Sequence, residues 1–105
     1  MNEPEQAVQG TFRNLMNAIQ ANRYFDFISE GNWPFKIGIN ILMFWFVTAQ
    51  LARRMRQGYE AVYLGQLNQE RHQVYLWKLT FKDGGTEFLA RLTIKNGRAS
   101  GLLIT

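Results

Sequence analysis

Over residues 4–21 the apolar positions Val8, Phe12, Leu15, Met16 and Ile19 recur every three or four residues, with Gln9, Arg13, Asn14, Asn17 and Gln20 between them. That spacing lays one apolar stripe along an α-helix, and Pro4 suits its first turn. Ala21-Asn22-Arg23 breaks the pattern. Tyr24–Ile28 then reads as a short second helix, and residues 29–34 read as a loop by composition. A third helix is expected over 41–57, with Asn40 as its N-cap and Gly58 as its stop.

Beyond Gly58 the period changes to two. Tyr75, Trp77, Leu79 and Phe81 alternate with Val74, Leu76, Lys78 and Thr80, and Phe88, Ala90, Leu92 and Ile94 alternate with Leu89, Arg91 and Thr93. Both are strand patterns. Asp83-Gly84-Gly85 joins them as a turn, and Asn96-Gly97 predicts a tight hairpin, because a type I′ turn needs positive φ at both central residues. A last strand is expected over Arg98–Ile104 and an earlier one over Val62–Gln69. Three N-terminal helices followed by a four-stranded antiparallel meander make an α+β fold. Helices on one face of a curved sheet form a cone, and residues 1–105 are expected to be one domain.

Composition narrows the chemistry. The 105 residues are 47% hydrophobic and 19% charged, enough apolar material for a core. Cysteine is absent, which excludes disulfides, thiol nucleophiles and cysteine-based zinc sites. The polar, acidic start Met1–Gln6 does not resemble a secretory signal, so a cytoplasmic location is the expectation. The apolar run from Ile39 to Ala52 is interrupted by Asn40, Thr48 and Gln50 and falls short of the roughly 20 residues of a membrane span. No membrane insertion is expected. The net charge of +4 is concentrated in Arg53, Arg54 and Arg56, where cations favour a helix C-terminus, so no nucleic-acid partner is expected.

The segments Asn22–Ile28 and Tyr59–Ile104 resemble the nuclear-transport-factor-2-like (NTF2-like, cystatin-like α+β) superfamily. The chain is similar in particular to small uncharacterised bacterial members, through Gly58-Tyr59-Glu60-Ala61-Val62-Tyr63-Leu64-Gly65 and Val74-Tyr75-Leu76-Trp77-Lys78-Leu79-Thr80-Phe81-Lys82-Asp83-Gly84-Gly85. The resemblance extends to Phe35, Lys36, Gly38, Ile39, Met43, Phe44, Val47 and Ala49-Gln50-Leu51. It implies the cone fold and little about activity, since that scaffold hosts enzymes, ligand carriers and dimerisation modules alike. The departure lies between those positions. Where the relatives carry small or polar residues, this chain has Trp33, Pro34, Ile37, Ile41, Leu42, Trp45 and Phe46.

Helical spacing marks the same residues independently. On a helix over 41–57, Met43, Phe44, Val47, Leu51 and Met55 supply a core side, while Leu42, Trp45, Phe46, Ala49, Arg53 and Arg56 fall opposite. That second side is apolar in its first two turns and basic later. Core burial on two sides accounts for such a run. So does a protein-binding surface anchored by Trp45 and Phe46 and ringed by Trp33, Pro34, Ile37, Ile41 and Leu42. The expectation is a protein-binding module, not an enzyme, with a partner that offers an apolar groove. An engineered surface of this kind would suit a viral surface glycoprotein or an antibody constant region. The alternatives are a homodimer through the same patch, and a ligand or enzyme pocket inside the cone.

Other chemistry is sparse. His72 is the single histidine, open to a general-base role or to a solvent-facing strand position. Asp26 sits among aromatic residues, where a desolvated acid can be tuned for proton transfer, or simply on an exposed helix face. Tyr75, Trp77 and Phe81 fit either a pocket lining or plain core. Nothing resembles a phosphate-cradling loop, the remaining carboxylates are scattered, and no metal or cofactor is expected.

Overall fold

The computed structural model describes residues 5–31 and 41–105, with the backbone alone at 41–43 and 46–47. Helix α1 (Gln6–Ala21) runs into α2 (Tyr24–Ser29), and α3 (Ile41–Arg56) leads to strands β1 (Tyr59–Gln69), β2 (His72–Phe81), β3 (Phe88–Lys95) and β4 (Arg98–Ile104). The strands pair in chain order as one antiparallel sheet, β1-β2-β3-β4. Among the described residues, the expected order of three helices and a four-stranded meander holds. The departures are at two strand starts: β1 begins at Tyr59, directly after the Gly58 turn and earlier than the expected Val62, and β2 begins at His72, ahead of the alternating run from Val74.

Local chemistry explains the boundaries. Helix α1 ends at Asn22, which takes a left-handed conformation (φ 59°) while the Arg23 N–H bonds back to the Ala18 carbonyl at 2.8 Å. Asparagine tolerates that conformation better than most side chains. The Asn96-Gly97 turn has φ of 52° and 78°, as the hairpin pattern requires. In the β2–β3 connection the Asp83 carboxylate accepts the Gly85 N–H at 2.8 Å, an Asx turn that closes the loop on itself.

Two bulges interrupt the ladders. Tyr63 pairs with Trp77 and Gly65 with Leu76, so Leu64 is an extra residue in β1. Thr93 pairs with Gly101 and Ile94 with Ala99, so Ser100 is an extra residue in β4.

The core lies between α1 and the sheet. Leu15, Met16 and Ile19 from α1 are fully buried with Tyr75, Leu79 and Leu92 from the strands. At its centre the Phe12 ring stacks on Trp77, 3.8 Å between centroids and 3° between planes. Tyr63, the cross-strand partner of Trp77, packs against it with ring centroids 5.5 Å apart and planes tilted by 58°. Tyr75, Trp77 and Phe81, open at the sequence level to a pocket role, are therefore core residues.

Helix α3 attaches to the sheet through Arg54. Its guanidinium donates Nε to Asp83 Oδ2 at 2.7 Å and Nη2 to Asp83 Oδ1 at 3.0 Å. Nη2 also donates to the Thr86 carbonyl at 2.8 Å, and the group lies 4.1 Å from the Phe81 ring centroid. The Arg54 and Gly85 hydrogen bonds hold the Asp83 carboxyl down from its ordinary 3.8 to about 2. A depressed carboxyl stabilises the fold above its unfolded pKa and loses that effect as pH falls through its folded value.

Two outcomes follow. Phe12→Ala should lower unfolding free energy by about 3–5 kcal/mol in urea titrations, the usual cost of emptying a buried aromatic site. The thermal midpoint of the protein should exceed that of Asp83→Asn by a constant margin near neutral pH, and the margin should close between about pH 4 and pH 2.

Candidate functional site

Helix α3 has two unlike sides. Phe44, Thr48, Leu51, Ala52 and Met55 are buried at helical spacing, and Phe44 packs against Phe27 (5.1 Å) and Tyr24 (5.7 Å) of α2. On the other side Trp45 is 55% exposed, followed by exposed Ala49, Gln50, Arg53 and Arg56. The division expected from spacing is present wherever side chains are described. Ile41, Leu42 and Phe46 fall within α3, but their side chains are outside the description; Trp33, Pro34, Ile37 and the proposed cap Asn40 lie outside the described residues.

Trp45 is thus the part of the expected patch that the structure places. Its exposure is unusual for a tryptophan, whose large apolar surface is ordinarily buried. A second exposed aromatic appears nearby in the aromatic cluster. Phe25 is 75% exposed, with its ring edge-on to Tyr24 at 5.3 Å, and Tyr24 in turn meets Phe44. Sequence spacing carries a signal for Phe25: with Tyr24, Phe27 and Ile28 turned inward, residue 25 of a helix must point away.

The three arginines of the basic cluster have three different situations. Arg54 pins the β2–β3 loop, Arg56 donates Nε to the Gln20 carbonyl at 3.1 Å, and Arg53 is exposed beyond Trp45 and Ala49 on the outer side. Treating them as one dipole-neutralising group missed the role of Arg54. Its partner Asp83 lies 29 residues away, beyond the reach of local patterning.

Asp26 is exposed on α2, 3.7 Å from Arg23, in an open cleft of about 750 Å³ between α1 and α2. It is not inside the cone. His72 is half-buried at the start of β2 and lines a separate cleft of about 590 Å³ with Glu5, Thr11, Asn68, Glu70, Gln73 and Asn96. Beside that cleft the buried Tyr75 hydroxyl donates to Gln73 Oε1 at 3.1 Å. Burial, then the nearby Glu5 carboxylate, raises its pKa, so it stays protonated. Among the described residues no group of histidine and carboxylate side chains could hold a metal, and no helix is long and apolar enough to cross a membrane.

Comparison with known proteins bears on the fold. No family model matches the sequence, and no curated protein matches it. Among solved structures, a putative polyketide cyclase from Sinorhizobium meliloti superposes with a TM-score of 0.50 at 15% identity, over 95% of this chain and 99% of that one. The fold is the NTF2-like cone. At that identity the likeness is one of architecture, and it corrects one expectation: the exclusion of enzymatic activity does not stand, because the same scaffold carries a protein named for catalysis.

One buried group stands out beneath the exposed face. Thr48 Oγ1, one turn after Trp45, is buried and has no hydrogen-bond partner among the described residues. An unsatisfied buried hydroxyl costs about 1–3 kcal/mol. Thr48→Val keeps the branched shape and removes that group, so its urea midpoint should rise above that of the wild type.

Proposed function

We propose that this chain is a protein-binding module of the NTF2-like superfamily, akin to its small bacterial members, that engages its partner through the outer side of α3. The observation that carries the reading is Trp45, 55% exposed on a helix whose opposite side is closed against the core. A tryptophan held by a packed helix loses little conformational freedom on binding and brings roughly 150–250 Å² of surface. Such anchors dominate binding energies when they enter a desolvated pocket. Phe25, on the other flank of the Tyr24–Phe44 cluster, adds a second exposed ring. The sequence carries large apolar residues or proline at Trp33, Pro34, Ile37, Ile41, Leu42, Trp45 and Phe46, the positions expected to ring such an anchor.

A second reading is a polar small-molecule site, favoured by the cleft that brings His72, Glu5 and Glu70 together with amide side chains. It is an open cleft at the end of the sheet, unlike the pocket within the cone that was one alternative from the sequence. The described interior of the cone is filled by Phe12, Leu15, Met16 and Trp77.

The two readings separate in one experiment. A panel of purified proteins probed with the wild type and with Trp45→Ala should yield a partner whose binding weakens by about 2 kcal/mol, roughly thirtyfold, in the variant. The thermal midpoint of the two chains should agree. Partners bound equally by both would remove Trp45 from the site, and a variant of His72 that alone loses ligand would favour the cleft.

A further inference from the structure

The outer side of α3 carries its chemistry in a single stripe. At 3.6 residues per turn, Trp45, Ala49, Arg53 and Arg56 fall within about 80° of one another around the helix. All four are exposed, whereas Phe44, Thr48, Leu51, Ala52 and Met55 close the other side. At a rise of 1.5 Å per residue, Arg53 lies about 12 Å beyond Trp45 along the axis and Arg56 about 16 Å. Ala49 sits between them, with a side chain too short to hold a neighbouring backbone away. The stripe therefore has an aromatic end, a low middle and a cationic end.

The cations at that end have no counter-ion. Asp26 and Glu30 border the same cleft as Arg56, but both are engaged elsewhere: Asp26 lies 3.7 Å from Arg23, and Glu30 Oε1 accepts the Asn14 amide at 3.3 Å. Asp83 is held by Arg54. Among the described residues neither Arg53 nor Arg56 makes an ion pair, and Arg56 uses only Nε, on the Gln20 carbonyl. The helix dipole accounts for a basic last turn. It does not account for cations in line with an exposed tryptophan.

From this arrangement, and resting on the assignment of Trp45 as an anchor, we infer that the partner's contacting segment is an acidic amphipathic helix lying antiparallel along α3. Carboxylates are most stable in the first turn of a helix. A partner that sets its first turn over Arg53 and Arg56 runs opposite to α3, and its apolar positions about eight to eleven residues later reach Trp45. There the groove between apolar side chains three or four residues apart receives the indole, and Ala49 lets the two axes approach to about 8 Å. The charged contact fixes register and orientation while the indole supplies affinity. An anionic bilayer fits the stripe less well. Arg53 and Arg56 share the tryptophan's side, so sinking Trp45 into an apolar layer would carry both cations with it, whereas interfacial helices keep their cations on the opposite face. A nucleic acid calls for a broader basic surface than two side chains.

Selection of a phage-displayed library of random helix-length peptides on the immobilised full chain tests the inference. Enriched peptides should carry Asp or Glu in their first turn and apolar residues about eight to eleven positions later. A synthetic copy should gain helical circular dichroism on binding, and its affinity should fall as salt is raised to about 1 M, where the Debye length is about 3 Å. It should bind Arg53→Glu at least about tenfold more weakly, at an unchanged thermal midpoint, and regain affinity for that variant when its first-turn carboxylates are replaced by lysine. Binders lost in Trp45→Ala but indifferent to Arg53→Glu would overturn this inference and leave the protein-binding role of Trp45 standing. Binders indifferent to Trp45→Ala would overturn both. Enrichment of neutral or basic peptides overturns the acidic helix, as does a library that yields no binder while vesicles containing phosphatidylserine bind the wild type and not Trp45→Ala.

Discussion

The position of α3 depends on the guanidinium of Arg54. This helix packs mainly on other helices, and its last turn must be fixed relative to a sheet that it barely touches. A flat, forked cation answers that need better than an aliphatic contact would. It binds both oxygens of Asp83, takes the Thr86 carbonyl as a third acceptor, and rests on Phe81, with the Phe88 ring centroid 5.6 Å away. The geometry sets distance and rotation together. Asp83 is itself held by the Gly85 N–H, so the loop is shaped before the helix meets it. Whatever α3 presents to solvent is therefore presented at a fixed angle.

Within that frame the molecule separates stability from contact. The cone is closed by aromatic stacking at Phe12 and Trp77 and by the aliphatic residues around them. Its described interior leaves little room for a guest, while the clefts beside His72 and Asp26 are open and polar. Trp45 and Phe25 then stand outside an aromatic cluster whose inner members, Tyr24, Phe27 and Phe44, anchor α2 to α3. The exposed rings are attached to rigid supports, which suits recognition by shape more than by induced ordering.

The elements were legible in the sequence wherever the determining physics is local. The period-3.6 stripe of α1, the left-handed Asn22, and the paired positive φ of Asn96 and Gly97 all act over a few residues. The two sides of α3 were legible for the same reason, from Phe44 and Leu51 on one and Trp45 and Arg53 on the other. What escaped was non-local. The Arg54–Asp83 pair, the hydrogen bonds from Arg98 to the Ser29 and Gly31 carbonyls, and the convergence of Glu5 with Glu70 and His72 all join distant segments. The outer sheet face was written in the alternation of β2 and β3. It is recognisable as a surface only once register aligns Leu67, Leu76, Leu89 and Leu103, because alternation alone says which residues share a face and not which strands are neighbours.

The two bulges give the sheet a property that its leucines would otherwise endanger. Both outermost strands carry one inserted residue, Leu64 in β1 and Ser100 in β4. An open edge is a template for adding strands from other molecules, and cross-β growth needs an unbroken row of amides and carbonyls at regular spacing. Each insertion breaks that row and turns the strand locally. On the β4 side Gly31 also lies across Ala99, shortening the free edge further. Growth by strand addition is thus opposed at both edges of a sheet whose strands expose Leu67, Leu89 and Leu103 to solvent.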